Sequence, residues 1–356
     1  MKAVALFLSC LFTAAATAQP PVAAPADDAL RRLALGNGKV GACAGRALDW
    51  LANNQNPDGS WGDSSKGAMT GLGLLSFLAQ GETQESKAHG RTVSKAVDWL
   101  AGNGAKFDGR LSMAATFSQS GVYEHAMATY ALCEYYTMGK DERVLPVLKK
   151  AVAYIVQGQG RGGGWMYSYD GTADDLSVSG WQIQAIKAAQ LTKLDLPGVD
   201  AAIAKAMKYL PRMQGPKGGY GYRGAEDRYS LTGAAIYCRL LGGAGRAELN
   251  KGMQWLLDET EKSKPVKYSG EEADLYAWYY HTRACLFFGG VAWTKWNRWI
   301  QEEIVNAQSP DGSWPVPGGK GHGPQNLNTK TGPVYRTALC TLMLGVFDRQ
   351  LPTLRQ

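Results

Sequence analysis

The chain has 356 residues, 45% of them hydrophobic and 19% charged, with 44 glycines, 11 tryptophans and a formal net charge of +7. This much apolar content at such modest charge excludes a disordered chain, and glycines without a three-residue period exclude a collagen-like one. The basic residues are spread thinly, in pairs such as Arg31-Arg32 and Lys149-Lys150. They form neither the stripe nor the module that nucleic-acid binding requires, so no nucleic-acid partner is expected.

Residues 1–18 read as a secretory signal peptide. Lys2 supplies the positive n-region, Ala3 to Ala14 the apolar core, and Ala16-Thr17-Ala18 the small-residue cleavage site. This predicts an exported protein, periplasmic or secreted. Leu8-Ser9-Cys10 offers lipoprotein anchoring through Cys10 as the alternative, but with almost no apolar core before the cysteine. Residues 19–42 read as a Pro/Ala-rich spacer and a leading helix. No later run approaches the ~18 apolar residues of a membrane-spanning helix.

From residue 43 to 350 one phrase recurs. Residues 46–61 read as a helix end, Arg46-Ala47-Leu48-Asp49-Trp50-Leu51, then Gln55, then the turn Asp58-Gly59-Ser60-Trp61. Lys95 to Leu100 repeats the helix, followed by a degraded Asp108-Gly109-Arg110-Leu111. Two further copies carry Gln159 with Gly163-Gly164-Trp165, and Gln214 with Gly218-Gly219-Tyr220. Lys251 to Leu256 keeps only the helix, and Gln308 to Trp314 only the turn. Counted from the position five residues before the Gln, the copies begin at 50, 99, 154, 209, 255 and 303. A period near 50 residues means an array of like units rather than two unrelated domains. Residues 351–356 are left as a short C-terminal tail.

After each phrase comes a second segment, apolar nearly all round, beginning near Met69, His125, Ser177, Ser230, Leu275 and Pro333. Such a segment is a helix covered on both sides, whereas the phrase helix has one polar face, Arg46/Asp49/Asn53 against Leu48/Leu51. The prediction is an all-α fold: a single α/α toroid of six helical hairpins, with an outer and an inner ring of helices.

Gln55-Asn56-Pro57-Asp58-Gly59-Ser60-Trp61 and Gln308-Ser309-Pro310-Asp311-Gly312-Ser313-Trp314 resemble the QW motif of the squalene cyclase and protein prenyltransferase repeat family. The resemblance implies that Gln and Trp belong to turns tying one hairpin to the next. The aromatic face is expected to cover the Gln side chain. It also aligns Thr172-Ala173-Asp174-Asp175 with the acidic motif of the cyclases, putting Asp174 at their proton-donor position with Thr172 replacing the first Asp. Asp174 and Asp175 are therefore the catalytic candidates. Capping of the following inner helix and ligand binding are the competing roles. The zinc set of the prenyltransferases has no counterpart around His89, His125, His281 or His322, so neither metal nor cofactor is expected. The Cys-Gly-Glu-Gln of thioester toroids is absent.

Closure of the ring would gather the starts of the inner helices at one mouth. The ligand-binding candidates there are Tyr123, Glu124, His125, Trp181, Asp227, Arg228, Tyr229, Asp274, Tyr276, Trp278, His281, Tyr335 and Arg336, with Glu271 beside them. His125 is expected to bond a neighbouring acid. Four cysteines occupy like positions in inner helices, which predicts buried free thiols, a Cys285–Cys340 bridge being the exception considered. Trp293, Trp296 and Trp299 are expected to pack rather than face a membrane. These features point to an isoprenoid-like small ligand held in the mouth. The alternatives are a terpene-cyclase-like or polysaccharide-processing enzyme using mouth carboxylates such as Glu124, Asp174, Asp227 and Asp274, or a protein-interaction scaffold with an unknown partner.

Overall fold

The first repeat shows how the pattern becomes a hairpin. Over Lys39–Asn53 (α1) the buried residues are Cys43, Ala44, Ala47, Leu48 and Leu51, one stripe at helical spacing, with Arg46 and Asp49 exposed. Over Lys66–Ala79 (α2) every residue from Gly67 to Ala79 is buried. An outer helix with one wet face and an inner helix with none are the two elements of the unit.

The unit recurs around the molecule. The computed structural model describes residues 38–113, 119–346 and 350–355; the predicted leader, Cys10 and most of the 19–42 segment lie outside them. The outer helices that follow are α3 (Gly90–Lys106), α5 (Leu145–Gln157), α7 (Val199–Tyr209), α9 (Arg246–Lys262) and α11 (Gly290–Asn306). The inner ones are α4 (Gln119–Gly139), α6 (Leu176–Leu191), α8 (Tyr229–Leu241), α10 (Leu275–Phe288) and α12 (Thr331–Leu344). These twelve are the α-helices among the described residues, and no strand occurs there. Each inner helix packs on the next, and α12 packs on α2. The ring is closed: six hairpins make an α/α toroid.

The turns carry the closure. Gln55 Nε2 donates to Gly59 O of its own turn at 2.9 Å and to Thr92 O of the next outer helix at 3.0 Å. Gln159 repeats the bridge to Gly163 O and Ala202 O, and Gln308 to Gly312 O and Cys43 O, the last joining unit six to unit one. Each pair of bonds ties a turn to a carbonyl of the adjoining outer helix. The aromatic of each turn is anchored by a bond of its own. Trp61, Trp165 and Trp314 are fully buried, and their Nε1 donates back to Leu51 O, Ile155 O and Ile304 O, at 2.7–2.8 Å. An indole pays its desolvation most fully when its N–H has a partner, and the frayed end of its own outer helix supplies one. Gly59 at φ +91 and Gly312 at φ +95 reverse the chain where a Cβ would lie 2.4 Å from Lys95 O and 2.2 Å from Arg46 O.

The lumen is a cup. Trp181 of α6 stacks on Tyr279 of α10, ring centroids 5.2 Å apart, and Gln184 joins the hydroxyls of Tyr279 and Tyr280. One turn deeper, the Arg283 guanidinium lies 4.4 Å from the Tyr279 ring and donates to the hydroxyls of Tyr130 and Tyr237. Beyond it residues of the short C-terminal tail form a buried turn: Leu351, Thr353 and Leu354 are enclosed, and Thr353 bonds Glu134 and Tyr130. The five cysteines of the described residues are free and buried, so the bridge considered between Cys285 and Cys340 is not formed. Trp293 and Trp296 pack in the core, and no described helix is long and apolar enough to cross a membrane.

Candidate functional site

Above the aromatic plug, the inner-helix starts enclose a cavity of about 730 Å³. Aromatic and thioether side chains build most of its wall: Tyr123, Tyr167, Trp181, Tyr222, Tyr276 and Tyr335, with Met69 and Met127. Glu124, Arg228 and His322 are its charged or titratable members. Of the residues singled out from the sequence, Tyr123, Glu124, Trp181, Arg228, Tyr276 and Tyr335 meet here.

Glu124 is 3% exposed and its Oε2 accepts from Gly67 N at 3.0 Å and, at 3.4 Å, Met113 N. Burial raises its carboxyl above the ordinary value, against those two backbone donors. That is the direction a general acid needs. Across the ring, on the connection between α11 and α12, His322 Nδ1 lies 2.6 Å from Asp274 Oδ2. Asp274 also caps α10 through Ala277 N and accepts from His322 N, which fixes the carboxylate. The Asp274 hydrogen bond raises the His322 pKa, opposed by burial and by Arg228. With Nδ1–H held by Asp274, the free Nε2 is the proton acceptor.

A second network backs the opposite wall. Asp175 is fully buried and caps α6, its Oδ1 accepting from Ser177 N, Val178 N and, at 2.5 Å, Ser177 Oγ. Since that hydroxyl proton goes to Asp175, Tyr123 is the donor in its 2.7 Å bond to Ser177 Oγ. Tyr167 and Tyr222 share a hydroxyl–hydroxyl bond beside it. Trp181 Nε1, buried in the wall, has no partner among the described residues.

Other candidates do structural work. Asp174 accepts from Gly164 N at 3.1 Å and Asp227 from Gly219 N at 2.8 Å, the same task in units three and four: each carboxylate holds a glycine turn. Neither lines the cavity, so the alignment of Asp174 with a proton donor places no acid in it. His125 accepts from Leu111 N and donates to Ala151 O, backbone partners rather than the expected acid, and burial lowers its pKa to about 4. His281 donates to Tyr229 O, and its pKa likewise falls to about 4. Tyr229 bonds Thr260, Trp278 is core, and Glu271 is exposed outside the cavity. Arg336 donates to Trp314 O, Gln325 O and Leu327 O, pinning the connection that carries His322.

Tyr167, Tyr222, Ser177 and His322 were not anticipated. Tyr167 and Tyr222 stand two residues after the turn aromatics Trp165 and Tyr220, a repeat-aligned signal visible in Trp165-Met166-Tyr167 and Tyr220-Gly221-Tyr222. His322 lies in Gly318-Gly319-Lys320-Gly321-His322-Gly323, a Gly-rich insert with no counterpart in the other units. No group of three or more His, Cys, Asp or Glu among the described residues is placed to hold a metal ion.

The described residues thus form a closed α/α toroid with a polar, aromatic-walled cup. The chain belongs to the family described as Domain of unknown function (DUF6288), which matches residues 44–230. No curated protein matches it in sequence. Among solved structures it is similar to an inactive variant of the GH76A α-1,6-mannanase of Salegentibacter sp. HEL1_6 in complex with α-1,6-mannotriose. That pair has 10% identity and a TM-score of 0.65, covering 86% of this chain and 99% of that one. It is similar to a type II terpene cyclase from Scytonema bound to geranylgeranyl dihydroxybenzoate, at 14% identity and TM-score 0.58, covering 88% and 98%. A possible GH105 member from Salmonella enterica matches at 16% identity and TM-score 0.57, covering 86% and 92%. At these identities the likeness is one of fold.

Proposed function

We propose that the chain is a carbohydrate-processing enzyme working at this cup, with Glu124 and the His322–Asp274 pair as its acid–base groups. The observation that carries it is the meeting of a buried carboxyl and a carboxylate-oriented imidazole in one aromatic-walled cavity. Sugars offer flat C–H faces to aromatic rings and hydroxyls to polar groups. A hydrocarbon in the same cup would leave the buried Trp181 N–H without a partner and offer nothing to the Arg228 guanidinium or to Glu124, which disfavours the isoprenoid-like ligand. The glycosidases among the similar structures support this reading, and the terpene cyclase supports the other. In kinship, we take the repeats to be of the squalene cyclase and prenyltransferase type. The leader expected from the sequence supports work outside the cytoplasm, where polysaccharides are met. The scaffold reading has less behind it. The large exposed apolar side chains among the described residues, Met113, Val291, Val316 and Leu327, are few and divided between two connections and α11, as on ordinary surfaces.

The test is a panel of oligosaccharides titrated against Trp fluorescence, with turnover of every binder followed in wild type and Glu124→Gln. Binding by both proteins with turnover by wild type alone is expected. A polyprenyl lipid recovered from the purified protein, with no glycan bound, would overturn the proposal.

A further inference from the structure

Glycoside hydrolysis by the common routes needs two carboxyl groups facing the scissile bond. This cup has one, since Asp174, Asp175 and Asp227 hold turns or helix ends and Asp274 stands behind His322. The cup has instead a cation. Arg228 lines it at the start of α8, lies 5.4 Å over the Tyr222 ring, and uses only Nε, bonded to Glu226 at 2.7 Å. Its two terminal nitrogens make no hydrogen bond among the described residues, so the fork that matches a carboxylate is vacant. Arg228 and His322 line the same cavity, so one bound group can meet both the fork and the free imidazole nitrogen.

Resting on the carbohydrate reading above, we propose that the substrate is a uronate-containing glycan whose carboxylate sits on Arg228, and that the chain cleaves it by β-elimination. His322 Nε2 takes the proton from the carbon next to the carboxylate, whose acidity the guanidinium increases by holding the developing charge. The electron pair becomes the new carbon–carbon double bond, and the bond from the next ring carbon to the glycosidic oxygen breaks. The leaving oxygen takes the proton of Glu124. Imidazolium and carboxylate then return to their starting forms by proton exchange with water, so no oxidant, metal or second substrate is consumed. The one-carboxyl cup, the unclaimed fork and the Asp-held imidazole are each what this step uses.

The experiment compares polygalacturonate, polyglucuronate and alginate with their carboxyl-reduced counterparts. It follows ultraviolet absorbance of the conjugated unsaturated uronate together with new reducing ends, for wild type, Arg228→Lys and Arg228→Gln. Absorbance growing in step with reducing ends on one polyuronate is expected, none on its reduced form, with KM raised about tenfold or more in Arg228→Gln and partly restored in Arg228→Lys. Reducing ends without absorbance would mean hydrolysis and overturn the elimination. Equal turnover of carboxyl-reduced glycans, or binding of sulfated glycans in preference to uronates, would overturn the carboxylate assignment while leaving the carbohydrate reading intact. Failure of every glycan to bind would remove both.

Discussion

Glu134 offers a quantitative test of how the ring is sealed. It lies on α4 at the far end of the lumen, 1% exposed, with Thr353 N and Oγ1 donating to it from the C-terminal turn. Burial pushes its carboxyl from 4.5 to about 7, outweighing the Thr353 bonds and the attraction of Arg283. Below pH 4.5 the group is neutral folded or unfolded and contributes no pH dependence. Between 4.5 and about 7 the unfolded chain releases the proton and the folded chain retains it, so stability falls as pH rises. At about 1.4 kcal/mol per pH unit the whole span amounts to roughly 3 kcal/mol. Glu134→Gln, which keeps an acceptor for Thr353 without ionising, is therefore expected to gain on wild type by about 3 kcal/mol between pH 4.5 and 7.5. Urea unfolding of both proteins across that range measures the gap, and the comparison cancels every other titrating group. A gap that stays constant with pH would show that Glu134 titrates normally and that the C-terminal turn does not enclose it.

The two neutral histidines act with the opposite sign. Burial lowers His125 and His281 from 6.5 to about 4, so wild type is expected to lose stability as pH falls from 6.5 toward 4, about 3 kcal/mol for each ring. His281→Gln should remove half of that slope in urea unfolding, and an unchanged slope would contradict it. Asp174→Asn retains an oxygen for Gly164 N, so it should change stability by no more than about 1 kcal/mol and leave turnover intact; abolished turnover would return the proton-donor role to Asp174. Gly312→Ala places a Cβ 2.2 Å from Arg46 O at φ +95, and calorimetry should show a loss of about 2 kcal/mol or more. Asp274→Asn should bring the His322 titration down toward the ordinary imidazole value by NMR, because the Asp274 bond is the largest cause of its elevation; an unmoved titration would dissolve the pair.

The architecture was legible because the turn residues do a task that depends on side-chain type. Gln55, Gln159 and Gln308 each bridge two carbonyls of different hairpins, and no apolar residue performs that. Their period therefore survives in the sequence. The cup was legible only in outline. Ring closure brings the inner-helix starts together, and Tyr123, Glu124, Trp181, Arg228, Tyr276 and Tyr335 line one cavity as a result. It does not say which side of a helix start faces the lumen. Asp174 and Ser177 are three residues apart, yet one serves the turn outside and the other the wall inside. His322 lay beyond reach because it arrives on an insert, positioned by Arg336 and Asp274 rather than by the repeat.

This division explains how one ring accommodates unlike chemistry. The forces that close it run between turn side chains and backbone carbonyls, and carbonyls are the same whatever residue bears them. Positions facing the cup take no part in those bonds, so they are free to change without opening the ring. The connection between α11 and α12 extends that freedom furthest. Arg336 claims three of its carbonyls, and Gln325 claims Gly319 O within it and reaches Ala273 O of the connection before α10. The insert is thus tied to the scaffold through its backbone, and His322 is left as its contribution to the cup. On the proposed reading, the residue that takes the proton enters on this connection and not on the repeated hairpin. For that reason the reaction has to be read from the cup, and the repeat specifies only where the cup will be.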